Sequence, residues 1–167
     1  DHAARGRSLS NGPFRLDGRV AVVTGAGGGL GEGICASLAA AGASVACVDL
    51  TEEKSAARAE QIRAAGGAAV AIVADVSRKA SADGMAAEVV ATLGGIDILV
   101  NNAAVYPSRP WTEITEEEWD AVLAVNVKGH FLCARVCHPS LTARGRGRIV
   151  NVASITLFGG WSNLLSY

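Results

Sequence analysis

Val20-Ala21-Val22-Val23-Thr24-Gly25-Ala26-Gly27-Gly28-Gly29-Leu30-Gly31 decides the fold. A short apolar run enters a glycine-rich turn, and a helical pattern leaves it. Glycine permits backbone angles and close approaches that a side chain would block. Main-chain N–H groups at such a turn can therefore come up against a phosphate. A glycine run alone marks many tight turns. Here a strand precedes it, a helix follows, and an acid, Asp49, stands eighteen residues beyond Gly31. That context is the one a dinucleotide-binding turn requires.

Further apolar runs follow at 44–48, 69–73, 96–100 and 149–152. They are short, several are rich in Val and Ile, and they are apolar on both faces. Strands covered by helices on both sides have that composition. Helical patterns separate them. Leu30, Ile34 and Leu38 recur at i, i+4 and i+8, and Gly42 supplies a stop. Thr51 is placed to cap the next helix, with Glu52 and Glu53 favourable against its dipole, and Gly66-Gly67 ends it. Met85, Val89 and Leu93 mark a third helix before Gly94-Gly95. Thr115-Glu116-Glu117-Glu118 reads as a capping box that starts an apolar face of Trp119, Val122 and Leu123. The helical region after Asn126 runs to about Arg144, with a kink expected at Pro139. The order predicts an α/β fold, a Rossmann-like doubly wound parallel sheet with helices on both faces. Residues 14–167 form its one domain, and the polar residues 1–13 read as a flexible arm.

The chain has 167 residues, half of them hydrophobic, and a formal net charge of −1. No long block of one sign is present, which argues against nucleic acid or an anionic membrane as the main partner. No apolar run is long enough to span a bilayer, and the first residues carry no apolar signal core. Cys35, Cys47, Cys133 and Cys137 fall inside expected helices and a strand. They read as reduced, buried thiols of a cytoplasmic protein. His130, Cys133, Cys137 and His138 lie close together on one helical pattern. Their spacing matches no closed zinc site, so packing is preferred to metal binding.

In a doubly wound sheet, ligands bind beyond the carboxyl ends of the strands. Those ends carry Thr24-Gly25, Asp49, Asp75-Val76, Asn101-Asn102-Ala103-Ala104 and Ser154. With TGAGGGLG at 24–31, NNAA at 101–104, NVKG at 126–129, and Tyr167 thirteen residues after Ser154, the sequence resembles the short-chain dehydrogenase/reductase family. The resemblance covers residues 14–167. Each motif is weak alone, but together they recur in the family's order and spacing.

The resemblance implies an oxidoreductase that transfers a hydride between NAD(H) and a secondary alcohol or ketone. Such transfer needs a group to exchange the hydroxyl proton and a donor to hold the oxygen. By resemblance Tyr167 is the acid/base, Ser154 orients and polarises the substrate oxygen, and Asn126 holds a water in a proton relay. The cofactor residues it implies begin with Gly25, Gly28, Gly29, Leu30 and Gly31 around the pyrophosphate. Asp49 and Leu50 stand at the adenosine ribose, Asp75 and Val76 at the adenine, and Asn102, Ala103 and Ala104 along the cofactor. The Asp49 carboxylate would repel a 2′-phosphate, and no Arg or Lys lies in the glycine turn. NAD is therefore expected over NADP. Asp75 serves equally as a helix cap, and the two roles are compatible.

Two departures from the family pattern stand out. Ala104 replaces the glycine of NNAG, which alters local geometry only. The family motif is Tyr-x-x-x-Lys, and Tyr167 is the last residue. The lysine's charge lowers the tyrosine pKa, and a free tyrosine, at about 10, is a poor base at neutral pH. A chain without that lysine is expected to turn over little, as one part of a longer enzyme whose sheet continues beyond 149–152. A homo-oligomer, tetramer or dimer, is implied for the longer form. A non-catalytic dinucleotide-binding or regulatory protein, or an inactive truncated fragment, remains the alternative. The substrate is not readable; Tyr106, Pro107 and Trp111 either line a pocket entrance or pack a loop.

Overall fold

The computed structural model describes residues 14–159 and 161–167, together with all side chains among them except that of Leu157. The expected arm at 1–13 lies outside the described residues, apart from its junction at Phe14. Five strands form one parallel sheet: β1 (Val20–Thr24), β2 (Ser44–Asp49), β3 (Ala68–Val73), β4 (Ile98–Asn101) and β5 (Arg148–Asn151). Their order across the sheet is β3-β2-β1-β4-β5. The connections are α1 (Gly29–Ala40), α2 (Glu52–Ala64), α3 (Lys79–Leu93), and a long passage through α4 (Glu116–Leu123) into α5 (His130–Ala143). This is the doubly wound, Rossmann-like fold the alternation predicted, with the chain reversing direction beside β1.

Strand periodicity divides the core in two. Ala21 and Val23 point to one face, where α1 and α2 cover them with Cys35, Ala59 and Ile62. Val20 and Val22 point to the other, under Met85, Val89, Cys133 and Leu141 of α3 and α5. Each buried aliphatic side chain contributes about 1.5–3 kcal/mol of transfer free energy. β5 is the exception. All four of its residues are exposed, including Ile149 and Val150, because β4 is its one strand neighbour among the described residues.

Some local expectations are corrected. Leu30 is 69% exposed, because α1 turns Gly31 and Cys35 inward instead. Gly31 must face the sheet for the steric reason given below, and that choice rotates Leu30 out. Ile34 and Leu38 still pack on the core. Thr51 occupies the cap position of α2, but its side chain makes no capping hydrogen bond. Thr115 and Glu118 do form the reciprocal capping box, while only Val122 of the expected face is buried. Pro139 lies inside a continuous α5, on its exposed side. Ahead of α5, Ala124–Gly129 is wound as a π-helix. Such insertions concentrate at functional sites.

β4 begins at Ile98, two residues later than the apolar run suggested, because Asp97 is drawn into a buried cluster. Its carboxylate accepts the Val20 N–H at 3.0 Å and Arg146 Nε at 3.1 Å. Arg19 and Arg144 approach to 3.8 and 3.7 Å. One fully buried carboxylate thus ties together the entries to β1 and β5 and the end of α5. Replacing Asp97 by Ala should lower stability in urea by about 1.5–3 kcal/mol. Asn, which keeps an acceptor for Val20, should lower it less. Equal losses would show that the charge carries the whole effect and the acceptor for Val20 none of it.

Candidate functional site

The glycine turn is built by exclusion. A β-carbon on Gly31 would overlap the Gly25 carbonyl oxygen, and one on Gly25 would sit 2.8 Å from Ala103 Cα. Gly25 and Gly29 also have φ of +65° and +54°, where other residues are strained. Gly28, by contrast, has open space around its missing side chain. Glycine therefore does two jobs here: it lets α1 dock closely on β1, and it leaves the outer side of the turn bare. In the first turn of α1 the Gly31 N–H donates back to the Gly28 carbonyl at 3.1 Å, and the N–H groups that begin a helix otherwise lack intrahelical partners. These features fit a dinucleotide pyrophosphate.

The turn is held by side chains from neighbouring strand ends. Thr24 Oγ1 accepts the N–H groups of Asn102 and Ala103 at 3.0 and 3.1 Å. Asn102 Nδ2 donates to the carbonyls of Thr24 and Gly25, each at 3.0 Å. Asp49 Oδ2 accepts the Gly27 N–H and its Oδ1 the Leu50 N–H, both at 2.9 Å. Asn102 and Asp49 thus belong to the scaffold of the turn as well as to its rim. Asp75 caps nothing directly. Its Oδ1 accepts from the N–H and hydroxyl of Ser77 in a local turn, and Arg78 holds the cap position of α3. Val76 beside it is buried, packed near Gly129.

Arg58 escaped the sequence reading. It is 7% exposed, and its Nε donates to the Ala26 carbonyl at 3.2 Å. Gln61 and Glu32 complete its partners, the latter at 3.0 Å. It lies on α2, far along the chain from the turn it supports, so no local pattern announces it.

A second group of residues meets in a cleft of about 720 Å³. Ala104, Asn126, Ser154 and Tyr167 all line it, so three elements bring together the three residues expected to do chemistry. Ser154 Oγ accepts the Thr156 N–H at 3.2 Å, which leaves its hydroxyl hydrogen free to donate. Asn126 is closed on Val105: its Oδ1 accepts that N–H at 2.9 Å and its Nδ2 donates to that carbonyl at 2.8 Å. The Tyr167 ring lies 5.7 Å from that of Tyr106. Trp111 lines the cleft, whereas Tyr106 and Pro107 do not.

His130 also lines the cleft, one helical turn after Asn126. Burial lowers its pKa, opposed by a hydrogen bond with the Ala103 backbone, so the folded environment favours the neutral imidazole. The Asn126-to-His130 spacing was a usable signal, but the sequence reading set His130 among packing residues. Its neighbours Cys133 and Cys137 are fully buried, and burial pushes their thiols up to about 11 and 12. His138 faces outward beside Thr142. Cys35 is raised by its hydrogen bond with Cys47 and by burial. All four cysteines are free. Among the described residues no helix is long and apolar enough to cross a membrane.

The family model for the short chain dehydrogenases matches residues 19–167. D-threitol dehydrogenase of Mycolicibacterium smegmatis is 43% identical over 141 residues, 84% of this chain and 54% of that protein. The (2S)-[(R)-hydroxy(phenyl)methyl]succinyl-CoA dehydrogenase subunit BbsD of Thauera aromatica is 37% identical over 145 residues, 87% of this chain and 58% of that one. Among solved structures, gluconate 5-dehydrogenase from Burkholderia cenocepacia, in complex with NADP and tartrate, superposes with a TM-score of 0.86 at 38% identity. That match covers 92% of this chain and 60% of the other. The chain spans a little over half the length of the curated relatives it matches.

Two outcomes test this geometry. Gly31→Ala should cost about 3 kcal/mol or more in urea denaturation, as overpacking against main chain does, whereas Gly28→Ala should leave stability unchanged. Comparable losses at both would sink the steric account. The lowered pKa of His130 means that the folded protein binds its proton less firmly than the unfolded chain. Stability should then be full above about pH 6.5, the ordinary value, and fall as pH drops through it. A His130→Leu variant should lack that component of the pH profile.

Proposed function

As the chain belongs to the short-chain dehydrogenase family, we propose that it carries the cofactor-binding half and the reacting groups of an NAD-dependent oxidoreductase acting on a secondary alcohol or ketone. The observation that carries this reading is the meeting of Asn126, Ser154 and Tyr167 in one cleft, beside a loop that is bonded directly to the glycine turn. A binding protein without chemistry has no need of both hydroxyls there.

The glycine turn and the start of α1 would hold the pyrophosphate, Asp49 the ribose hydroxyls, and Asp75 with Val76 the adenine. Ala103 and Ala104 carry the loop towards the cleft. The bound nicotinamide supplies hydride acceptance or donation. Around it, this chain's residues handle the proton and the oxygen. The Ser154 hydroxyl donates to the substrate oxygen and fixes its position. The Tyr167 hydroxyl exchanges the proton with that oxygen. The Asn126 side-chain amide is already closed on Val105 through both its oxygen and its nitrogen. Its side chain keeps the loop after β4 in register with the helix.

The preference for NAD rests on charge. Asp49 accepts the Gly27 and Leu50 N–H groups beside the turn, and the buried cation beneath the turn, Arg58, is paired with Glu32. A 2′-phosphate brought there would meet the Asp49 carboxylate. The matched structure with NADP makes this the point to test. Fluorescence titration should show NADH binding at least tenfold more tightly than NADPH. Asp49→Asn should narrow that ratio at least tenfold, the loss of one charge-assisted hydrogen bond of about 1.5–3 kcal/mol. Equal affinities in the unmodified protein would overturn the preference, and no binding of either would overturn the cofactor site itself.

A further inference from the structure

Gly27 is the residue of the glycine turn on which a third element packs. A β-carbon there would collide with Lys54 Cβ and stand 3.1 Å from Lys54 Cγ and 2.9 Å from Asp49 Oδ2. That same Asp49 oxygen accepts the Gly27 N–H at 2.9 Å. The first turn of α2 thus lies against the glycine turn, and the Lys54 side chain starts out beside the Asp49 carboxylate. The crowding falls on the base of the lysine stem, which the helix fixes. Beyond it the stem is flexible and ends in a compact ammonium. Lys54 is exposed, and among the described residues no ion pair involves it.

Residues four apart share a helix face, and Lys54 and Arg58 share the face of α2 that meets the turn. They differ in what is left for a ligand. Arg58 is buried, donates to the Ala26 carbonyl and is paired with Glu32. Lys54 keeps its charge in solvent, next to an acid. NAD and NADP differ by one group, a phosphate on the 2′ oxygen of the adenosine ribose. A carboxylate at that oxygen repels the phosphate, and a cation beside the carboxylate reduces the repulsion. Lysine holds phosphate as a point charge, through a charge-assisted hydrogen bond stronger than one to a neutral hydroxyl. A lysine here therefore acts on the phosphorylated cofactor and hardly on the other.

We propose that Lys54 is a specificity-determining residue of the cofactor site, whose ammonium pairs with a 2′-phosphate and offsets part of its repulsion by Asp49. This role rests on the dinucleotide reading above and adds to it how strictly the site excludes the phosphorylated cofactor. Asp49 and Lys54 act in opposite directions: the carboxylate sets the preference for NAD, and the ammonium limits its margin. The cation comes from α2, five residues after Asp49, and reaches the turn because Gly27 leaves room for its stem.

Lys54→Met keeps a stem against Gly27 and removes the charge, whereas Lys54→Arg keeps the charge. In fluorescence titrations Lys54→Met should weaken NADPH about threefold, the size of an exposed ion pair, and leave NADH unchanged. Lys54→Arg should retain the NADPH affinity of the unmodified protein. The threefold loss should recur in an Asp49→Asn background, where the repulsion is removed and NADPH binds tightly enough to titrate. It should shrink as salt rises, because exposed charges are screened. Adenosine 2′,5′-bisphosphate should displace NADH less well after Lys54→Met, and adenosine 5′-monophosphate equally well before and after. NADH and NADPH weakened alike would place Lys54 on the pyrophosphate that both share. NADPH unchanged in both backgrounds would leave Lys54 a packing residue. Either result would overturn the proposal and leave the dinucleotide reading standing. Failure of the unmodified protein to bind either cofactor would overturn that reading first.

Discussion

The contact between the first turn of α1 and the end of β1 sets the position of everything else. Gly31 lies against the Gly25 carbonyl with no room for a β-carbon, and Gly25 lies against Ala103 in the same way. Two glycines thus bring three chain segments closer than any side chain allows. Thr24 and Asn102 then bond across the gap, so the turn after β1 and the loop after β4 form one unit. That unit runs from the bare outer side of the glycines to Ala104 in the cleft. Loosening it would separate the glycine turn from the cleft.

Charge is arranged differently at the two ends of the sheet. At the amino ends, Asp97 is fully buried and gathers Arg19, Arg144 and Arg146 into one cluster, which locks strand entries and takes no part in the cleft. At the carboxyl ends, Asp49 accepts the N–H groups of Gly27 in the glycine turn and of Leu50. Arg58 supports the same turn from below with its charge answered by Glu32. The cleft near Ser154 is free of ionised side chains among the described residues.

The strands were legible because parallel strands covered on both faces are apolar at every position, and the runs near 20, 44, 69, 96 and 149 have that signature. Helix ends at Gly42, Gly66 and Gly94 were legible because each has a positive φ that glycine adopts at no steric cost. The capping box at Thr115 was legible because both partners lie within four residues. What depended on contacts remote in sequence was not. Leu30 fits a helical apolar stripe with Ile34 and Leu38, yet Gly31 claims the inward direction. The departure from α geometry at Ala124–Gly129 was not legible either, since no single residue marks it.

Taken alone, the amino-acid sequence determined the α/β alternation, the glycine turn and the family. These depend on local periodicity, on short motifs and on their order, all of which survive in one dimension. Tertiary structure alone decided which groups share a space. It placed Asn126, Ser154 and Tyr167 in one cleft, turned the Asn126 amide onto Val105, and set Arg58 beneath the turn. Residues from separate strand ends and helices meet there only because the parallel sheet brings every strand's carboxyl end to the same edge. No spacing along the chain encodes that distance.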